Sequence, residues 1–434
     1  MRYIFVQRNG MAWHGCQNIS AMLKQMGNDV DLILTDYEKR PLEYIKKYQP
    51  DFVLFPVITG EHLWVQQFAS EVKKELPKVK TVMGGPHATL YPDTLKADFI
   101  VCGEADYLEP DLLSKDNGIL YYEPVRDITL LPQQDRSIYY KYEHLGKASS
   151  KQFLSARGCP FSCSFCFGHM SHKMYPDTPR VRRRTPDQVI GEIGSVRARY
   201  GLETVSFTDD VFTLNLEWLK KFLDLYKNEI KLPFICNTRF DIINKELLEM
   251  LKDAGCYSLE MGIESGVPLI RQRILNKSDK GNEDIIKAGR LIKSFGLGLK
   301  TYNIVGIPTE SLEDALETVK LNAEIKADQT SCSFMTPYKY YDIAKYYPDG
   351  VELTDSIYKP MKHLSKEIIN LQTFFFIATK YPFLLPLIKQ LIKLPPNIFY
   401  RSMAKLIYGL FMARVHKLTI GDMWRYRKIS AFRI

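Results

Sequence analysis

Three cysteines fall within eight residues, Cys159, Cys163 and Cys166 in Arg157-Gly158-Cys159-Pro160-Phe161-Ser162-Cys163-Ser164-Phe165-Cys166, and the other five are scattered along 434 residues. Thiolates are soft ligands suited to zinc or to iron-sulfur clusters, and three from one short loop can converge on one inorganic centre. A closed zinc site needs a fourth protein ligand, for which His169 and His172 are the nearest candidates. A cubane gripped by only three cysteines would keep one iron open to a substrate or cofactor. Eight cysteines are too few for a disulfide scaffold of this length, which favours a reducing, cytoplasmic compartment. Of the isolated Cys16, Cys102, Cys236, Cys256 and Cys332, four in five are expected to be packing residues, since free cysteine is among the most often buried side chains.

The loop needs elements to hold it. It follows a strand candidate at Phe153–Ala156, the first of a series continuing at Thr204–Thr208, Phe234–Asn237, Ser258–Gly262, Leu299–Val305 and Ser331–Met335. Helical patterns separate these strands. Thr185 before Pro186 supplies a cap and a proline at the first helical position, and Asn215 and Asn244 can cap the next two helices. Six strand-helix units within residues 151–340 are too few for a closed eight-unit barrel, so an open, partial (β/α)6 barrel is expected.

Residues 1–115 alternate apolar runs (Tyr3–Val6, Val30–Leu34, Phe52–Phe55, Val79–Met83, Phe99–Cys102) with helical patterns, the mark of a Rossmann-like, doubly wound parallel sheet. Residues 116–150 lack a sustained period and read as a linker. The fold class is therefore α/β, with a helical C-terminal region over residues 341–434.

The Cys-x3-Cys-x2-Cys spacing, with Phe165 before the last cysteine, resembles the signature loop of the radical S-adenosylmethionine (radical SAM) enzymes. The resemblance implies a 4Fe-4S cluster on Cys159, Cys163 and Cys166 whose open iron chelates SAM, and reductive release of a 5'-deoxyadenosyl radical. It also implies that Phe165 packs beside the adenine, that Glu264 and Ser265 meet the ribose or amino group, and that Gly306 and Ile307 lie along the adenine. Asp209 and Asp210 look like the acidic doublet of cobalamin-dependent members, and with Arg239 they are candidates for holding substrate or SAM. A Rossmann-like domain ahead of such a barrel resembles the cobalamin (B12)-binding subfamily, the resemblance carried by Gly84, Gly85, His87, Gly103 and Glu104. Paired glycines let the backbone approach a bulky ligand. His14 stands where some corrinoid proteins carry a cobalt-ligating histidine, but without the usual Asp and Gly. Cobalt is therefore expected not to be His-ligated, and His14 reads as a surface or linker residue.

The implied activity is cobalamin-dependent methyl transfer to an unactivated carbon. An oxidative cyclase or rearrangement enzyme is the alternative, and a non-catalytic corrinoid or lipid carrier is the rival from another class. An external electron donor such as flavodoxin or ferredoxin is expected. The net charge of +9 sits in the tail, where residues 355–434 carry 14 Lys and Arg against 3 Asp and Glu, leaving 45 against 47 elsewhere. This apolar, basic tail matches no nucleic-acid-reading module, and its lysines and arginines interrupt every run long enough to span a bilayer. It fits either a cap on the barrel or peripheral membrane contact, and it makes a hydrophobic small-molecule substrate plausible.

Overall fold

The computed structural model describes residues 1–277, 280–347 and 360–415. Strands β1 (Arg2–Gln7), β2 (Asp29–Leu34), β3 (Phe52–Pro56), β4 (Lys80–Gly84), β5 (Phe99–Gly103) and β6 (Gly118–Tyr122) form a wholly parallel sheet in the order β2-β1-β3-β4-β5-β6. Because strand side chains alternate in direction, Tyr3 and Phe5 enter one core while Ile4 and Val6 enter another, so both faces of the sheet are apolar. The strand order reverses between β1 and β3, where ligands of such sheets bind at the carboxyl ends.

β6 lies inside the stretch expected to be a linker and instead completes the first sheet. Only Leu120 of its five residues is buried, so the strand carries no apolar alternation to read. The rest of the connector is also locked down. Arg136 is buried, donates twice to Glu192 Oε1 (2.6 and 3.1 Å) and once to the Gln152 carbonyl (2.7 Å), and lies over the Phe153 ring.

The second sheet is also wholly parallel, in the order β14-β13-β12-β11-β10-β7, giving the six-stranded partial barrel. Its strands are β7 (Ser150–Phe153), β10 (Thr204–Phe207), β11 (Phe234–Thr238), β12 (Cys256–Glu264), β13 (Gly298–Val305) and β14 (Gln329–Phe334). Two short strands, β8 (Ala156–Arg157) and β9 (Arg182–Arg183), pair antiparallel with each other. The expected strand through Ala156 thus breaks after Phe153. Asp209 takes the Ser155 N–H (3.0 Å) and hydroxyl (2.5 Å) out of the ladder. The expected caps are present: Thr185 with Gln188 forms a capping box on Pro186–Tyr200, and Asn215 and Asn244 accept from Trp218 N and Leu247 N.

The two sheets share one core, in which Tyr3, Leu54 and Val101 join Phe153, Phe207 and Met261. The helix Lys366–Lys380 packs on the outer strand, with Gln372 donating to the Cys332 carbonyl and Thr379 bonded to Thr330, so the barrel's open edge is covered. Cys16, Cys102, Cys236 and Cys256 are buried, and Cys332 is half-buried. No helix among the described residues is long and apolar enough to cross a membrane.

Glu192 is buried between Arg136 and Arg184 and bonded to both. Glu192→Ala would leave the buried Arg136 guanidinium and the half-buried Arg184 without this counter-charge, at a cost of about 3–5 kcal/mol. The expected outcome is a clear drop in the urea unfolding midpoint of the metal-free protein; an unchanged midpoint would contradict this role.

Candidate active site

β8 and β9 close a neck from which the cysteine loop emerges, and the barrel grips that loop from several sides. Ser164 donates through its N–H to the Leu275 carbonyl (2.9 Å) and through its hydroxyl to that of Ile274 (2.7 Å). Asn276 donates to the Ser162 carbonyl (2.8 Å), and Ile343 N to that of Ser164 (3.1 Å). The helix Phe167–Met174 begins between the thiols: a Cβ on Gly168 would lie 3.7 Å from Cys166 Sγ and 3.8 Å from Cys159 Cβ. Burial pushes the Cys159 thiol up to about 11 and raises that of Cys166, and the Asp210 carboxylate and the neighbouring thiols add to both.

His169 Nε2 lies 2.9 Å from Asp342 Oδ2, and His172 Nε2 lies 2.6 Å from the Cys159 carbonyl oxygen, so one ring nitrogen of each candidate for a fourth zinc ligand is engaged; His169 Nδ1 is buried without a partner among the described residues. Among the described residues, no three His, Cys, Asp or Glu side chains are placed around a single metal ion. The donor set that fits this loop is three separated thiols, as in a cluster whose corners each take one sulfur.

The carboxyl ends of the barrel strands surround the loop. Asp209 is buried, its carboxyl raised by burial, and ties β10 to Ser155. Asp210 beside it is exposed. Arg239 is held by Asp241 (2.9 and 2.5 Å) and the Lys277 carbonyl (2.9 Å), with its guanidinium 3.6 Å from the Phe161 ring centroid. Glu264 ends β12 with φ 66° and pairs with Lys277 (3.0 Å). Ser265 is fully buried, and its hydroxyl accepts from Val267 N (3.2 Å). The N–H groups of Gly306 and Ile307 donate to Glu310 Oε2 (2.7 and 3.3 Å). Burial pushes the Glu310 carboxyl up to about 8, and its Oε1 is buried without a partner among the described residues. Phe165, Ile304 and Ile307 meet in one apolar cluster, which Leu90 and Tyr91 of the N-terminal domain also enter.

Across from the loop stand the carboxyl ends of β4 and β5. Gly85 has φ 105°, and a Cβ there would sit 3.0 Å from the Val57 carbonyl oxygen; its neighbour Gly84 packs on Val101. Gly103 has φ 93°, and a Cβ there would strike the Tyr122 carbonyl and come within 2.6 Å of the Tyr175 hydroxyl, which belongs to the barrel. His87 is fully buried and stacks on His62, with its ring nitrogens 2.9 Å from Thr59 Oγ1 and 3.0 Å from Thr94 Oγ1. Just after β1, at the reversal of strand order, Trp13 Nε1 and the Gln17 amide are buried without a partner among the described residues, which suits a pocket for a polar ligand. His14 is not a surface or linker residue. Its Nδ1 lies 2.9 Å from Gln134 and its Nε2 3.0 Å from Thr208, so it joins the two domains next to the acidic doublet.

The strongest tie between the domains went unread in the sequence. Arg157 and Arg182 are register partners across β8 and β9, an arrangement in which like charges repel. Both end on carboxylates from the loop after β5. Arg157 binds Glu104 (2.7 Å) and both oxygens of Asp106 (2.8 and 2.9 Å), and Arg182 binds Glu104 (2.6 and 2.9 Å). The available signal was the basic run Arg180-Val181-Arg182-Arg183-Arg184 in an otherwise nearly neutral region, which calls for acidic partners.

Two family models match this arrangement, the radical SAM superfamily over residues 153–321 and the B12 binding domain over residues 9–113. The chain is a B12-binding radical SAM enzyme. An uncharacterized methyltransferase of Pyrococcus horikoshii is 29% identical over 344 residues, 71% of each chain. The anaerobic magnesium-protoporphyrin IX monomethyl ester cyclase of Rubrivivax gelatinosus is 27% identical over 361 residues, 75% of this chain and 64% of that one. Among solved structures, the radical SAM methyltransferase TsrM from Kitasatospora setae, with cobalamin and a 4Fe-4S cluster bound, superposes with a TM-score of 0.64 at 16% identity, over 79% of this chain and 76% of that one. At that identity the likeness is one of fold. The cofactors of this enzyme class are a 4Fe-4S cluster, SAM and cobalamin.

Glu104→Gln with Asp106→Asn leaves Arg157 and Arg182 facing each other unneutralised, so backbone hydrogen exchange should accelerate across 157–182; unchanged exchange would contradict the tie. Burial holds His14 and His87 each down to about 4, against an ordinary 6.5. Between pH 6.5 and 4 the unfolded chain therefore binds protons there that the folded chain does not, so this stability is full above 6.5 and lost as pH falls to 4. His14→Gln with His87→Gln should flatten the pH dependence of the unfolding midpoint in that window.

Proposed function

We propose that this enzyme transfers a methyl group to an unactivated carbon of a hydrophobic small molecule. One observation carries the reading: a loop of three thiols on the barrel faces the glycine-lined mouth of the N-terminal sheet, and carboxylates of one domain clamp the neck of that loop. When bound, the cofactors supply a radical able to take hydrogen from an unreactive carbon and a methyl group to replace it; the protein supplies position and exclusion of water.

In this reading Cys159, Cys163 and Cys166 hold the cluster. Phe165 and Ile307 give the adenine an apolar wall, and the backbone at Gly306 and Ile307 borders its edge. Glu264, paired to Lys277, and Ser265 border the ribose and amino acid portion of SAM. Gly84, Gly85 and Gly103 shape the turns that border the corrinoid, their missing side chains making way for Val101, Val57 and Tyr122; His87 braces these loops through Thr59 and Thr94, and Glu104 fixes the corrinoid domain against the cysteine loop. Of Asp209, Asp210 and Arg239, the exposed Asp210 is free to meet substrate, whereas Asp209 and Arg239 act as positioning residues. The electron comes from an external flavodoxin or ferredoxin, and the C-terminal region touches a membrane surface. The relation to the Rubrivivax cyclase supports a second reading, oxidative cyclisation without net methyl transfer.

The test is anaerobic reconstitution followed by assay of iron, corrinoid and SAM cleavage under reduction. Wild-type protein should carry about four irons and one corrinoid and release 5'-deoxyadenosine, and serine at position 159, 163 or 166 should abolish that release. Zinc without corrinoid, or cleavage that survives the serine variants, would overturn the reading. Methylated product formed per 5'-deoxyadenosine separates methyl transfer from cyclisation.

A further inference from the structure

The C-terminal helices carry an outward apolar surface with a defined place relative to the barrel mouth. The helix Lys366–Lys380 starts at that mouth, where Leu364 packs on Gly306, and ends at the amino end of β14, where Thr379 meets Thr330. The chain then returns through the helix Leu385–Leu391. Asn370, one turn from the mouth end, donates to the carbonyls of Ile392 (3.0 Å) and Leu394 (2.8 Å) and so pins the next turn near the mouth.

That turn, residues 393–399, is exposed throughout. Ile398 is 82% exposed and Phe399 67%, and Phe383 at the previous corner is 76% exposed. The final helix, Ile398–Val415, is apolar on two faces. Tyr400, Met403 and Ile407 pack inward, while Phe399, Leu406 and Leu410, at spacings of seven and four, form an outward stripe. A helix with two apolar faces buries both when it lies between a core and lipid or a partner, and among the described residues nothing covers the outer stripe of this one. The charge along this segment has one sign: from Asn370 to Phe411 the sequence carries Lys380, Lys389, Lys393, Arg401 and Lys405 and no acidic residue, and of these Lys389 pairs with Glu313 of a neighbouring helix (3.9 Å).

We infer that the turn Lys393–Phe399 and the outer face of the last helix dock on an anionic lipid bilayer, with Ile398 and Phe399 entering the acyl boundary and Lys393, Arg401 and Lys405 meeting the headgroups. Apolar insertion combined with attraction between basic side chains and anionic headgroups is what holds an interfacial helix. The placement lays the last helix along the bilayer, since Tyr408 on it reaches Gln329 at the amino end of β14, and sets the turn at the barrel's mouth end into the acyl boundary. This rests on the proposed hydrophobic substrate and supplies its source: a lipid-soluble molecule would enter from the membrane.

The experiment is flotation of the full-length, reconstituted protein with vesicles of phosphatidylglycerol and phosphatidylcholine, against vesicles of phosphatidylcholine alone. Wild-type protein should float with the anionic vesicles only, and less so at high salt. Ile398→Asp with Phe399→Asp should abolish flotation, and Lys393→Gln with Arg401→Gln should weaken it about tenfold or more, while 5'-deoxyadenosine release in vesicle-free buffer stays at the wild-type level in both. Equal flotation of the variants, or equal binding to neutral vesicles, would overturn the proposal. So would absence of flotation together with a dimer that the Asp variant converts to monomer, which would assign the face to a second copy of the chain. Loss of SAM cleavage in wild-type protein would count against the enzymatic reading and not against the membrane surface.

Discussion

Two arginines set side by side on a two-residue ribbon repel each other, and here that ribbon is the neck of the cysteine loop. Arg157 and Arg182 occupy this position, and Glu104 and Asp106 of the other domain neutralise them. Asp106 and Arg182 are both buried, so the charges have lost much of their water and depend on one another. The loop is thus held closed by groups it does not own. The N-terminal domain contributes to the geometry of the thiols even though it provides none of them.

The rest of the junction reinforces that constraint. Gly103 lets the end of β5 approach Tyr175, Tyr91 reaches into the apolar cluster beneath Phe165 and accepts a hydrogen bond from Lys339 N, and His14 bonds to Thr208 beside the acidic doublet. Two parallel sheets therefore present their carboxyl ends to one shared space. Both kinds of sheet bind ligands at those ends, so fixing the sheets fixes the ligands relative to each other. Chemistry divided between two cofactors needs this, because a displacement of about one ångström between reacting groups can cost a hundredfold in rate.

Strands β1 to β5 were legible because each is a short apolar run buried on both faces, and the cysteine loop because its spacing is local. Helix starts such as Thr185 and Asn244 were legible for the same reason, since a cap is a contact within one turn. β6 was not, because an edge strand with one buried side chain has no period. The roles of Glu104 and His87 were blurred because each makes its contacts with residues distant in the chain: Glu104 with arginines 53 and 78 positions away, His87 with Thr59. Sequence spacing placed them at the right end of the sheet; only the fold shows that their polar atoms are occupied by protein.

The central claim is that this junction brings the cluster and the corrinoid into one site. Electron paramagnetic resonance of the anaerobically reconstituted protein, with the cluster reduced and the corrinoid in its paramagnetic cob(II) form, tests it most directly. Magnetic coupling between the two centres is the predicted result, weakened when Glu104 and Asp106 lose their charge. Full occupancy of both centres with two independent, uncoupled spectra would contradict the account.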